Sequence, residues 1–141
     1  MDQRPMDTRA VTSPSRAMIW IRRVMRPLWL RVGIAATLEV VGRRTGTPFR
    51  ATLIPWEVAG TRYLMSQYGV TNWVRNLRAA GRGELRHKGR SQAATAIEVD
   101  GEERDRVIAA FRARTPKPFR RDFDQLPDAA DHPTFRLEPM R

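Results

Sequence analysis

The chain has no cysteine, which removes disulfides, thiolate metal sites and cysteine nucleophiles together. It also has nothing near the roughly 18 uninterrupted apolar residues of a membrane-spanning helix, because arginines break every candidate stretch. The same interruptions leave no long apolar region of the secretory-signal type. Tyrosine is represented only by Tyr63 and Tyr68, and histidine only by His87 and His132. Two histidines without carboxylates at ligand spacing make no case for a metal site. Lack of cysteine fits a reducing compartment, so a cytoplasmic protein is expected.

Acidic residues are scarce in one region. Residues 42–90 hold two Asp/Glu against ten Lys/Arg, whereas residues 91–141 hold ten against nine, so the net charge of +11 is concentrated in the middle of the chain. Such a field attracts phosphates, carboxylates, nucleic acid or anionic lipid. A length of 141 residues suits one domain with a real core.

Residues 1–12 are polar without apolar periodicity, and a disordered tail is expected there. Ser13-Pro14 reads as the start of a helix over residues 13–31. Met18, Ile19, Ile21, Val24, Met25, Leu28 and Trp29 recur at helical spacing, with Arg16, Arg22, Arg23 and Arg26 mainly on the other side. Pro27 is expected to kink or shorten it. A basic amphipathic helix carrying tryptophan either packs its apolar face on the domain, the favoured reading, or makes peripheral contact with the inner face of the cell membrane through residues 13–31. Both hold if the helix plugs an opening in the domain and its outer face meets lipid.

Strands are expected at Ala36–Val41, Phe49–Glu57 and Thr61–Ser66, joined as a β-meander. Thr71 then caps a short helix with Trp73, Val74 and Leu77 on one face. A hairpin turns at Lys88-Gly89-Arg90, and Asp100 with Glu103 has the capping-box spacing before a helix whose buried stripe is Val107, Ile108 and Phe111. His87, in the basic hairpin, is expected to be solvated. Pro133–Pro139 alternates as a last strand. Five or six short strands with two or three helices define an α+β fold, a small antiparallel barrel.

The stretch that carries chemistry is Gly42-Arg43-Arg44-Thr45-Gly46, set between two β-favouring runs. Glycines let backbone approach an anion, successive N–H groups form a nest, and arginine gives bidentate contacts to phosphate or carboxylate. The Lys-Ser/Thr ending of a Walker A loop is absent. On the motif alone, a hairpin with a basic tip is equally consistent.

Taken in order, Gly42-Arg43-Arg44-Thr45-Gly46-Thr47-Pro48-Phe49-Arg50, Pro55, Trp73-Val74-Arg75-Asn76-Leu77-Arg78-Ala79, Asp100-Gly101-Glu102-Glu103-Arg104 and Leu137-Glu138-Pro139 resemble the deazaflavin-dependent nitroreductase family. The resemblance covers residues 35–139 and implies a split β-barrel of about six strands that binds coenzyme F420. It implies a phosphate site at Gly42, Arg43, Arg44, Thr45 and Gly46 with Arg50 alongside, a cofactor loop at Ser66-Gln67-Tyr68-Gly69, and a helix whose Trp73 and Asn76 close the site. Hydride transfer from reduced deazaflavin to a small or lipid-soluble acceptor of quinone or nitro type follows, with Tyr68 and then His132 as candidate catalytic groups.

This chain departs from the family pattern at Arg44, where lysine is common, and at Tyr68 and Gly69, near which serine and lysine often stand. It also lacks the tyrosines that line the substrate pocket of some members in the C-terminal third, leaving Phe119, Phe123 and His132 for that side. FMN or haem in the same barrel, without turnover, is the alternative. A nucleic-acid module is the weaker one, because the tryptophans fall mostly on helix stripes rather than among basic residues on strands.

Overall fold

The computed structural model describes residues 16–140. The tail expected over residues 1–12 and the Ser13-Pro14 helix start lie outside them. In chain order the elements are α1 (Arg16–Arg31), β1 (Ala36–Val41), β2 (Pro48–Leu53), β3 (Trp56–Val58), β4 (Thr61–Met65), α2 (Asn72–Ala80), β5 (Arg82–His87), β6 (Arg90–Val99), α3 (Gly101–Arg114), α4 (Arg121–Asp124) and β7 (Thr134–Pro139).

The run expected as one strand, Phe49–Glu57, is broken at Ile54-Pro55 into β2 and β3. Proline donates no N–H to a ladder and restricts the residue before it, so a central strand cannot pass through this point. The consequence is large. The seven strands run β2-β1-β5-β6-β7-β4-β3, all pairings antiparallel, and the two halves of the broken run stand at opposite edges. Since Leu53 and Trp56 are three residues apart and three residues span at most about 11 Å, the edges are drawn together there. The sheet therefore curls into an antiparallel split barrel, with one strand more than the sequence suggested and no meander through β1–β3.

Two apolar clusters flank the curled sheet. Inside, Leu38 and Val40 of β1, Leu64 of β4, Leu85 of β5 and Phe135 and Leu137 of β7 pack with Trp73, Val74 and Leu77 of α2. Outside, Tyr63 and Met65 of β4 and Val99 of β6 pack beneath Val107, Ile108 and Phe111 of α3, with Phe123 of α4. The alternation of β4 thus serves two cores, which is why Tyr63, Leu64 and Met65 are all buried.

Both expected caps differ from the structure. Thr71 and Asp100 stand at the N-caps of α2 and α3 but make no side-chain cap bond. Glu103 is recruited elsewhere: its carboxylate accepts a hydrogen bond from the Tyr63 hydroxyl at 2.7 Å and two from Arg136 at 2.9 Å, tying α3 to β4 and β7. His87 is half-buried rather than solvated, with Nε2 2.6 Å from the Gly33 carbonyl in the α1–β1 connection. Helix α1 continues through Pro27 to Arg31, so proline does not shorten it.

The hydrogen bond from Arg136, and then that from Tyr63, hold the Glu103 carboxyl below the usual carboxylate range. A lowered carboxylate pKa stabilises the fold above the unfolded value, and that contribution is lost as pH falls through the folded value. We expect the stability difference between wild type and Glu103→Gln in urea titrations to be full at pH 7 and to shrink toward zero below the ordinary carboxylate range; a difference constant with pH would show that the carboxylate is not what ties α3 down.

Candidate functional site

The β1–β2 connection is a closed turn. Gly42 N–H donates to the Thr47 carbonyl at 2.8 Å and Gly46 N–H to the Gly42 carbonyl at 2.9 Å, while the Thr45 and Thr47 hydroxyls meet at 2.6 Å. Gly46 sits at φ +75, a left-handed value that favours glycine, and a Cβ on Gly42 would come within 3.0 Å of the Thr47 carbonyl. This rigid loop is docked onto α2: the backbone N–H of Arg43 at 3.1 Å and its Nη1 at 2.7 Å both donate to Oδ1 of Asn76. Asn76 is buried, so its amide oxygen is committed to holding the loop. Arg44 and Thr45 are exposed on the loop, and the Arg44 side chain has no partner among the described residues.

One turn back on α2 lies Trp73, which lines a cavity of about 150 Å³ with Gln67, Tyr68, Met65, Leu53 and Ile54. Trp73 and Asn76 are separated by three residues, about 4.5 Å along a helix axis, so α2 joins the anion-suited loop to the cavity. The fourth wall is α1. Arg22, Arg26 and Trp29 line the cavity, Arg22 donates to Oε1 of Gln67 at 3.3 Å, and its guanidinium stacks 4.9 Å from the centre of the Tyr68 ring. Arg22 therefore faces inward, against the expectation that it lies on the outer side, and Arg26, itself exposed, reaches the cavity rim. A polar cavity rim, with an amide oxygen and an aromatic face, satisfies a guanidinium that an apolar core would reject.

Burial pushes the Tyr68 phenol up to about 12, with Arg22 opposing and Asp122 adding to the shift. Tyr68 consequently remains a neutral hydrogen-bond donor at physiological pH. Its loop is braced from behind. Ser66 N–H donates to the Pro133 carbonyl at 2.9 Å, the Ser66 hydroxyl donates to the Gly69 carbonyl, and Gly69 takes φ +89. Thr71 Oγ1, between this loop and Trp73, is buried with no hydrogen-bond partner among the described residues.

The remaining expected site residues are placed differently. Arg50 sits opposite Glu39 in the β1–β2 register and pairs with it at 2.9 Å, on the face away from Phe49 and Ala51, which pack on the core. His132 does not line the cavity. Its ring is buried, stacked 3.8 Å from Phe123, with Nδ1 2.9 Å from the Ser66 carbonyl and Nε2 2.7 Å from the Leu126 carbonyl. Desolvation holds its pKa below the ordinary histidine value, although both carbonyls pull the other way.

Sequence reasoning missed the contributions of Arg22, Arg26, Trp29, Leu53 and Ile54. The available signal was the spacing of Arg22, Arg26 and Trp29, which share a helix face.

Residues 4–125 match the family model described as F420H(2)-dependent quinone reductase. Among solved structures, the chain is similar to an F420-H2 dependent reductase, FDR-A, at 21% identity and TM-score 0.56, covering 74% of this chain and 94% of that one. It is similar to HutZ, the heme storage protein from Vibrio cholerae, at 18% identity and TM-score 0.59, covering 84% and 89%. A FAD-binding protein from Mesorhizobium loti matches at 16% identity and TM-score 0.55, covering 84% and 89%. At these identities the structural likeness speaks to the fold alone. No curated protein gives a significant match.

The two tyrosines report on two environments, the cavity at Tyr68 and the outer cluster under α3 at Tyr63. Burial raises Tyr63 as well, followed by its hydrogen bond to Glu103. A raised phenol pKa leaves stability intact below the unfolded value near 10 and erodes it as pH climbs toward about 12. Ultraviolet titration of the folded protein is expected to show little phenolate at pH 10, with Tyr68→Phe removing the component near 12; a Tyr68 midpoint at 10 would mean that the cavity is open to water.

Proposed function

The chain belongs to the F420H(2)-dependent quinone reductase family, and from that premise we propose that it binds the cofactor across α2, with the phosphate on the Arg43–Gly46 loop and the ring against Gln67, Tyr68 and Trp73. As a member of that family it is an oxidoreductase and coenzyme F420 is its cofactor. The observation that carries the residue assignment is the Asn76 tie, which sets an arginine loop one helical turn from the cavity lined by Gln67, Tyr68 and Trp73.

The donors suit an anionic, ring-bearing ligand. Arg43, Arg44 and Thr45 offer guanidinium and hydroxyl contacts to a phosphodiester. Arg50, held by Glu39, adds to the field rather than making a direct contact. The bound cofactor supplies the hydride. The chain's own residues position and enclose: α1 covers the cavity, and Tyr68, kept neutral, donates a hydrogen bond to an acceptor oxygen on which negative charge develops. We assign a quinone-type acceptor, whose carbonyl oxygen suits that donor. His132 acts on the loop from behind and is a positioning residue.

Haem is disfavoured by the histidines, since His87 is engaged at the Gly33 carbonyl and His132 at two carbonyls. A nucleic-acid platform is disfavoured by the tryptophans, because Trp29, Trp56 and Trp73 line cavities and only Trp20 is broadly exposed.

The outer face of α1 supports a membrane contact. Ile19, Trp20, Val24, Leu28 and Val32 are exposed, Trp20 by 65%, with exposed Arg23 and Arg31 beside them. That is the composition of an interfacial helix. Cosedimentation with phosphatidylglycerol vesicles is expected, and Trp20→Ser with Val24→Ser should abolish it; no binding by the wild type, or equal binding by the double variant, would remove the membrane from the proposal.

Arg44→Ala tests the phosphate assignment without touching the fold, as the side chain is exposed. Loss of a charge-assisted contact is expected to weaken F420 by roughly tenfold or more. Affinity for the same deazaflavin lacking its phosphate should not change. Unchanged F420 affinity would overturn the loop as the phosphate site, and tighter binding of FMN than of F420 would replace the ligand.

A further inference from the structure

The β5–β6 turn is a two-residue hairpin, Lys88-Gly89, closed by the paired His87 and Arg90. Both turn residues have positive φ, 55 at Lys88 and 78 at Gly89. Such a turn follows the twist of the strands but favours asparagine, aspartate or glycine at its first position, where a longer side chain is out of place. The β3–β4 turn meets the same demand with Ala59 at φ 52 before Gly60, so the backbone asks for no lysine here.

What lysine adds is its reach over the α1–β1 connection. His87 Nε2 lies 2.6 Å from the Gly33 carbonyl, and the Lys88 stem crosses Gly33 so closely that a Cβ there would come within 2.8 Å of Lys88 Cγ and Cε. The tip is thereby docked between two exposed apolar residues, Val32 at 57% and Ile34 at 48%. Trp20, Val24, Leu28 and Val32 recur at every fourth residue, so the outer stripe of α1 runs down to this tip. Around its end stand Arg31, Lys88 and Arg90, all exposed, whose side chains make no hydrogen bond or ion pair among the described residues. Of the carboxylates lining the groove behind the tip, Glu138 is paired with Arg136 and Glu57 stands opposite Arg62 in the β3–β4 register.

We propose that the β5–β6 tip is a contact for anionic lipid: Lys88 and Arg90, with Arg31, meet headgroup phosphates while Leu28, Val32 and Ile34 enter the interface beside them. A lysine whose stem lies on an apolar strip and whose ammonium extends past it suits the boundary between acyl chains and headgroups. The charge is complementary to phosphate, and aliphatic rather than aromatic neighbours favour a bilayer over a nucleic acid, whose bases would need rings to stack on. The inference rests on the membrane reading of the outer face of α1 and deepens it. The helix supplies the apolar contact, and a strand turn more than fifty residues later supplies the selection for lipid charge. Two contacts from separate elements also fix how the barrel sits on the surface, which a single helix free to roll does not.

The test uses Lys88→Asn with Arg90→Gln, since asparagine is well suited to the left-handed first position of this turn. Each cation near an anionic surface is worth roughly fivefold in partitioning. The double variant is therefore expected to bind phosphatidylglycerol vesicles about tenfold or more weakly than wild type, with a shallower dependence on salt. Binding to phosphatidylcholine vesicles and affinity for F420 should stay within about twofold. Arg82→Gln with Arg106→Gln removes the same charge from exposed positions at the far end of β5 and on α3. An equal loss in that control pair would reduce the effect to net charge and overturn the site, as would unchanged binding by the tip variant.

If the wild type binds no vesicles, the reading of α1 fails, and the tip is decided separately with dihexanoyl phosphatidylglycerol below its micelle concentration. Amide shifts confined to Gly33 and residues 88–90 support a headgroup site there, and their absence refutes it. Tighter binding of a short single-stranded DNA than of anionic vesicles, lost in the tip variant, would assign the tip to nucleic acid and overturn the proposal.

Discussion

The missing N–H of Pro55 governs the architecture. A continuous strand from Phe49 to Glu57 would have laid β2 and β3 end to end in one ladder; the break sends them to opposite edges of a seven-stranded sheet while leaving them two residues apart. The chain can meet both conditions only by curling the sheet. Curling creates an inner face for Leu38, Leu64, Leu85 and Leu137, and it brings Leu53 and Ile54 to the wall of the ring cavity. The fold and the site thus descend from the same residue.

Within that frame, α2 carries the connection between charge and ring. Its buried face is shared between packing and polarity: Val74 and Leu77 enter the barrel, Trp73 faces the cavity, and Asn76 reaches the basic loop. A polar side chain nearly without solvent exposure would be costly unless satisfied, and here the satisfying group is Arg43 of the basic loop. Helix α1 completes the enclosure by a different principle, offering apolar side chains on both faces and turning Arg22 and Arg26 toward the cavity rim.

Much of this was readable in advance, and the exceptions share a cause. Alternation located β1, β4 and β7, and helical spacing identified Trp73, Val74, Leu77, Val107, Ile108 and Phe111 as buried. These signals are local. The break after β2 had a local signal in Pro55, but the recruitment of Glu103 by Tyr63 and Arg136 and the inward turn of Arg22 depend on partners far along the chain. A capping-box spacing says what Glu103 can do near Asp100; it says nothing of an arginine more than thirty residues later that competes for it. Likewise the glycines and arginines of the 42–46 loop pointed to an anion, whereas the role of Asn76 as its anchor needed the fold.

His132 faces two carbonyl oxygens, those of Ser66 and Leu126, and burial disfavours its charged form. A neutral imidazole owns a single proton. At any instant only one of the two carbonyls receives it, and the other confronts a lone pair. The tautomer therefore chooses which neighbour is held: the start of the Tyr68 loop or the C-terminal segment.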